Sequence, residues 1–136
     1  MMRVGAFLIL MAVAIFALTQ ATAAPETRKV PDGVIIFAEG SNEPLADSRA
    51  IIDQLAVLAK SDPANWVSLD SYTDESGSRE MNLALGQQRI AGIEREMALQ
   101  GVPPHRIRGI SHDKDSSIKG EQPMRRVEVR IEKLGY

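Results

Sequence analysis

Downstream of residue 32 the hydrophobic positions change period several times, and each change predicts an element. Residues 33–37, Gly-Val-Ile-Ile-Phe, form a compact apolar run rich in β-branched side chains, the pattern of a buried strand. From Pro44 the period turns helical, with Leu45, Ile51, Ile52, Leu55, Leu58 and Ala59 in one apolar stripe. Ser61-Asp62-Pro63 stops that helix, because proline disfavours helical backbone in the residue before it. Residues 66–72 alternate in part and predict a second strand, followed by turn chemistry over 73–78 in which Gly77 is free to take a positive φ. A second helix is predicted over 80–100 with Leu83, Ile90, Ile93 and Met97 facing inward. Gly101 ends it as a C-cap and Pro103-Pro104 bar its continuation. Residues 107–111 read as a short third strand and 112–123 as a polar loop. Residues 125–133 then alternate cleanly, with Val127, Val129 and Ile131 on one face and Arg126, Glu128, Arg130 and Glu132 on the other. That charged face predicts a sheet surface open to water.

The order β-α-β-α-β-β implies an α/β chain of the α+β sandwich type: a mixed sheet with both helices packed on one face. A length of 136 residues suits one domain. The first residues read differently. Met1, Met2 and Arg3 give a short positive start, residues 4–18 carry no charged or strongly polar side chain, and Ala21-Thr22-Ala23 is a small-x-small site of the kind signal peptidases cut. The organisation expected is a signal peptide over 1–23, a polar tether over 24–32 and the domain over 33–136. An uncleaved anchor is the alternative, although the apolar run is shorter than the ~20 residues a spanning helix needs. With cleavage, no membrane insertion is expected and the protein is expected to be exported.

Charge and composition narrow the function classes. The formal net charge is −2, and loss of Arg3 with a signal peptide makes it one unit more negative. Nothing there supports nucleic-acid binding, which calls for a basic surface. There is no cysteine, hence no disulfide framework, no cysteine nucleophile and none to carry a lipid. No Gly-x-Ser-x-Gly elbow and no phosphate-cradling glycine loop occur, so a non-enzyme is expected. His105, His112, Asp113 and Asp115 do not make a closed ligand spacing, so neither metal nor cofactor is expected. Trp66 and Tyr72 read as packing residues.

The informative segment runs from Tyr72 to Arg89. Asp74 sits in the loop that leaves the second strand. Asn82 and Arg89, almost two turns apart, project from nearly the same face of the following helix. A carboxylate facing an amide and a guanidinium suits a zwitterion: Asp74 for an ammonium, Arg89 for a carboxylate by its two-pronged geometry, Asn82 for either. Singly, Asp74 reads as a turn residue and Arg89 as a solvated helix arginine near Glu94 or Glu96. Their joint spacing favours a site.

This chain resembles the OmpA-like domain, the C-terminal peptidoglycan-binding domain of outer-membrane protein A and of the peptidoglycan-associated lipoprotein. That family's signature runs approximately Gly-His-Thr-Asp-x-x-Gly, then an asparagine, Leu-Ser and Arg-Ala, and ends in an Asn-Arg-Arg-Val-Glu strand. The matching residues here are Thr73-Asp74, Gly77, Asn82, Leu85-Gly86, Arg89-Ile90 and Met124-Arg125-Arg126-Val127-Glu128, ungapped between Asp74 and Arg89. The departures are Ser71-Tyr72, Gly86 and Met124. The resemblance implies that Asp74 and Arg89 grip the diaminopimelate of a peptidoglycan stem peptide, with Thr73 and Asn82 lining the same site. It further implies that Arg125 or Arg126 closes that site from the last strand. Alternation puts Arg125 on the side of Val127, but strand ends twist away from that rule, and the choice stays open. The function implied is non-catalytic cell-wall binding in the periplasm, with an envelope protein as a further partner. The departures motivate a second reading, an OmpA-like scaffold that binds proteins and not the wall.

Overall fold

The computed structural model describes residues 29–73, 75–112 and 125–133. The expected signal peptide, most of the tether, Asp74 and the loop preceding Arg125 lie outside the described residues. The elements are β1 (Gly33–Ile36), α1 (Ala46–Lys60), β2 (Asn65–Tyr72), α2 (Arg79–Leu99), a 3₁₀ turn (Pro104–Arg106), β3 (Ile107–His112) and β4 (Arg126–Lys133). The α+β order and the mixed sheet are as the pattern predicts.

The sheet order is β1-β4-β2-β3. β4 runs antiparallel to both β1 and β2, while β2 and β3 are parallel. Three strands therefore point the same way with β4 inserted between the first two. Each helix follows one of those strands, and α1 lies over β1 while α2 lies over β2 and β3. Ile35, Val67, Leu69, Val127, Val129 and Ile131 from the strands meet Ile52, Leu55, Ala59, Ile90, Ile93 and Met97 from the helices in one core. The bonding to the sheet begins by Lys29, inside the segment read as a tether. Arg130 Nε donates to the Lys29 carbonyl at 2.7 Å, and Asp32 Oδ2 accepts from the Ile131 amide at 2.6 Å.

Two helix faces differ from the apolar pattern. Leu45 and Leu58 are 45% and 43% exposed. Leu45 precedes the first turn in extended backbone, and α1 meets the sheet through the i, i+3, i+4, i+7 set Ile52, Leu55, Ala56 and Ala59. On α2, Leu83 is only half-buried, because the inward face of its first half is Asn82, Gly86 and Arg89.

Gly86 has a steric reason. A Cβ there would stand 2.1 Å from Ser111 Oγ and 2.9 Å from Ser71 Oγ, so glycine lets α2 approach β2 and β3 closely. Ser111 Oγ donates to the Leu83 carbonyl at 2.9 Å, which ties the helix to β3 at this crossing. Gly86→Ala is expected to destabilise the fold. Overpacking costs roughly 1–3 kcal/mol, against a helix-propensity gain of at most about 1 kcal/mol. A lower urea midpoint with an unchanged slope is the expected result.

At the other end of α2, Gly101 takes φ +96°. Its amide donates to the Ala98 carbonyl and the Val102 amide to Met97, which closes the helix in a Schellman motif and buries Val102.

The charged face of β4 overturns an expectation. Arg126, Glu128 and Arg130 are 0%, 6% and 5% exposed, so this surface is not open to water. Glu128 Oε1 accepts from Arg126 Nε at 3.3 Å and Oε2 from Arg130 Nη2 at 2.9 Å. Asp70 on the neighbouring strand adds an ion pair to Arg130 and a hydrogen bond with the His112 ring. The Arg126 guanidinium lies 4.4 Å over the Tyr72 ring, which itself stacks on His112 at 4.8 Å. Alternation correctly separated the two faces of the strand. It carried no information about burial, because alternating opposite charges neutralise one another along the strand, with Glu128 between Arg126 and Arg130.

Candidate functional site

The loops after β1 and β2 and the start of β4 meet at one edge of the sheet, at the carboxyl ends of the parallel strands. Ligands of open α/β sheets commonly bind at such an edge. Phe37 still bridges to Pro44 after β1 ends, and residues 38–43 then loop over the edge. The loop after β2 is held by the helix it feeds: the Met81 amide donates to Ser78 Oγ at 3.1 Å, an N-cap, and Asn82 Nδ2 donates to the Glu75 carbonyl at 3.1 Å. Asn82 thus shapes the loop that contains Asp74.

Arg89 sits between the two loops with no exposed surface. Its Nε donates to the Ser41 carbonyl at 2.9 Å and its Nη2 to the Ala38 carbonyl at 3.2 Å, both from the first loop. Nη1 donates to Thr73 Oγ1 at 3.3 Å, and Nη2 also meets Glu75 Oε2 at 3.1 Å, both from the second. The Phe37 ring lies 4.9 Å from the guanidinium carbon. Burial pushes the Arg89 guanidinium below the usual arginine range. The Glu75 carboxylate works against that shift, and the positive charge of Arg125 adds to it. Arginine remains charged in proteins, so the outcome is a buried cation that demands an anion beside it.

Thr73 meets Arg89 directly and Asn82 meets the Glu75 main chain, with Thr73 fully buried and Asn82 nearly so. Asp74 lies outside the described residues. Of the paired arginines where the last strand begins, Arg125, just before β4, is exposed and close enough for its charge to act on Arg89. Arg126 shares its parity with Glu128 and Arg130 and packs on Tyr72, on the face turned away from the helices. Arg126 thus stands at the same end of the sheet as the two loops, where β4 begins, but on the opposite face from Arg89. Sequence reading missed Glu75. The signal was its place beside Asp74 in the same turn, but nothing local tells which carboxylate of a pair turns inward. Arg89 does not pair with Glu94 or Glu96; Glu96 pairs instead with Arg49 at 3.6 Å.

Beside the clasp lies a cleft of about 340 Å³ lined by Glu39, Gly40, Glu75, Ser76, Met81, Asn82 and Leu85. Its walls combine carboxylates, an amide and two apolar side chains. Among the described residues no group of three or more His, Cys, Asp or Glu side chains is placed to hold a metal, and no helix is long and apolar enough to cross a membrane.

No family model matches the chain. The architecture is shared with the OmpA-like domain of FopA1 from Francisella tularensis, at a TM-score of 0.63 over 75% of this chain and 74% of that one. The identity there is 15%, so the likeness is one of fold. Fold and sequence together make the chain similar to OmpA-like C-terminal domains. Within that class the similarity extends to the peptidoglycan-associated lipoproteins. The chain is 34% identical to that of Rhizobium meliloti over 84 residues, which cover 62% of this chain and 48% of the relative. The crystal structure of the peptidoglycan-associated lipoprotein from Burkholderia pseudomallei superposes at a TM-score of 0.65 with 28% identity, over 73% of this chain and 89% of that one. The chain spans about half the length of the curated relatives it matches first.

Proposed function

We propose that this domain binds peptidoglycan in the periplasm without catalysis, taking the diaminopimelate end of a stem peptide at the carboxyl edge of its sheet. The observation that carries the reading is Arg89: a fully buried guanidinium, cradled by two loops and already matched to a carboxylate, at the edge where the signature residues converge. The names of its relatives support the substrate class. In this reading Arg89 receives the ligand's carboxylate and Asp74 its ammonium. Thr73 and Asn82 hold Arg89 and the loop in place, and Arg125 borders the site with a second positive charge. Arg126 begins β4 at the same edge, on the face of Tyr72, and is the alternative to Arg125 in closing the site. Residues 1–23 serve export. Binding through a few charged hydrogen bonds to a small ligand is expected to be modest, roughly micromolar to millimolar.

The experiment is co-sedimentation of the full chain, in mild detergent, with insoluble peptidoglycan sacculi. The wild-type protein is expected in the pellet, and Asp74→Ala in the supernatant with its circular dichroism unchanged. Arg125→Ala is expected to weaken retention without abolishing it. Wild-type protein left in the supernatant overturns the reading and points to a scaffold for an envelope protein partner.

A further inference from the structure

Glu75 occupies the position a ligand carboxylate needs. Its side chain is 7% exposed and makes two contacts, one with helix α2 and one with the loop after β1. Oε2 meets Arg89 Nη2 at 3.1 Å, and Oε1 accepts from the Gly40 amide at 2.5 Å. Its main-chain carbonyl is held in turn by Asn82 Nδ2. Glu75 therefore closes the loop after β1 onto the loop after β2, and its carboxylate stands between the cleft and the guanidinium.

The bonding of Arg89 shows what that carboxylate does. Two of its described acceptors are carbonyls and one is a hydroxyl, all neutral. Among the described residues Glu75 alone supplies the negative charge that a buried guanidinium requires. With no exposed surface on Arg89, an anion from solvent reaches it only by moving what covers it. A carboxylate from outside has the same planar, two-acceptor geometry as the one in place. Exchange of one for the other preserves the charge balance at Arg89, whereas simple addition would set two carboxylates against one arginine.

We propose that Glu75 is an internal stand-in for the ligand's carboxylate, and that a ligand engages Arg89 by displacing it. The inference rests on the peptidoglycan reading for the identity of that ligand. It makes Glu75 a positioning residue that sets affinity: binding is paid for by releasing the Glu75 clasp, so the site rejects ligands lacking a carboxylate to put in its place.

The test separates the clasp from the wall. The full chain and Glu75→Ala, in mild detergent, are titrated with sodium acetate against sodium chloride at equal ionic strength, and the Nε–H resonance of Arg89 is followed by NMR. In the wild type that resonance is expected to stay still. In Glu75→Ala it is expected to move saturably with acetate and not with chloride, and acetate is expected to restore the melting temperature the substitution lowers. Glu75→Gln, which keeps the shape without the charge, takes the same titration if the alanine variant does not fold. Sacculus binding is measured in parallel, and the variant is expected to bind roughly tenfold more tightly. Acetate reaching Arg89 in the variant while neither protein binds sacculi upholds the internal carboxylate and removes the wall reading. An Arg89 resonance that ignores acetate in every variant, or answers it equally in the wild type, overturns the proposal whatever the sacculi show.

Discussion

Arg89→Ala is expected to cost about 3–5 kcal/mol of folding stability, because it leaves the buried Glu75 carboxylate without its cation. The substitution also strands the Ser41 and Ala38 carbonyls and the Thr73 hydroxyl, which receive hydrogen bonds from one guanidinium. Each unmet buried acceptor adds to the loss, and the vacated volume beside Phe37 adds a cavity term. Domains of this size have roughly 5–15 kcal/mol in hand, so the variant retains little or none of it. Arg89→Lys restores the charge but not the fork that spans four acceptors, and is expected to recover only part. The decisive comparison is the double variant Arg89→Ala with Glu75→Ala. Removing both partners leaves no orphaned charge, so the double variant is expected to be more stable than Arg89→Ala alone by urea unfolding. Equal stability would mean that Glu75 finds water when Arg89 is gone. The consequence for binding work is direct: loss of sacculus retention in Arg89→Ala reports the fold as well as the site, and Asp74→Ala is the cleaner probe.

The second large effect is expected on the opposite face of the sheet. Glu128 lies between Arg126 and Arg130 on β4 and bonds to both, with all three nearly or fully buried. Glu128→Ala leaves two buried guanidiniums, four residues apart on the same strand face, without the anion between them. Asp70 still meets Arg130 at 3.4 Å, which tempers the loss at that end. A cost of about 3 kcal/mol is expected, at the lower end of what breaking a buried ion pair removes. Burial also limits screening, so the difference between variant and wild type is expected to persist in molar salt. The exposed pair of Arg49 with Glu43 is the contrast, since such surface pairs contribute about 0–1 kcal/mol and fade with salt. Urea titrations at low and high salt check both statements. A salt-sensitive Glu128 effect would show that water reaches this face.

The sequence by itself determined the element order and the two-layer architecture, because strand and helix periods are local and strong in residues 33–37, 82–97 and 125–133. It also placed Asn82 and Arg89 on nearly one face of the second helix, since helical geometry brings positions seven apart almost into line. Only the tertiary structure decided what surrounds each charge. Leu58 reads as core and is exposed, while Arg126 and Glu128 read as solvated and are buried, because burial depends on which strand neighbours which. The insertion of β4 between β1 and β2 pairs residues a whole domain apart in the chain, and no window of sequence contains that pairing. Gly86 looks like a weak point of a helix until Ser71 and Ser111 are seen against it. Glu75 is the sharpest case. Its residue type and its turn were visible, but the carboxylate finds Arg89 fourteen residues on and Gly40 thirty-five residues back, contacts that exist only once both loops close on the same edge. Charge is written residue by residue; its partner is chosen by the fold, since a buried ion is stable only where distant segments bring it a counter-charge.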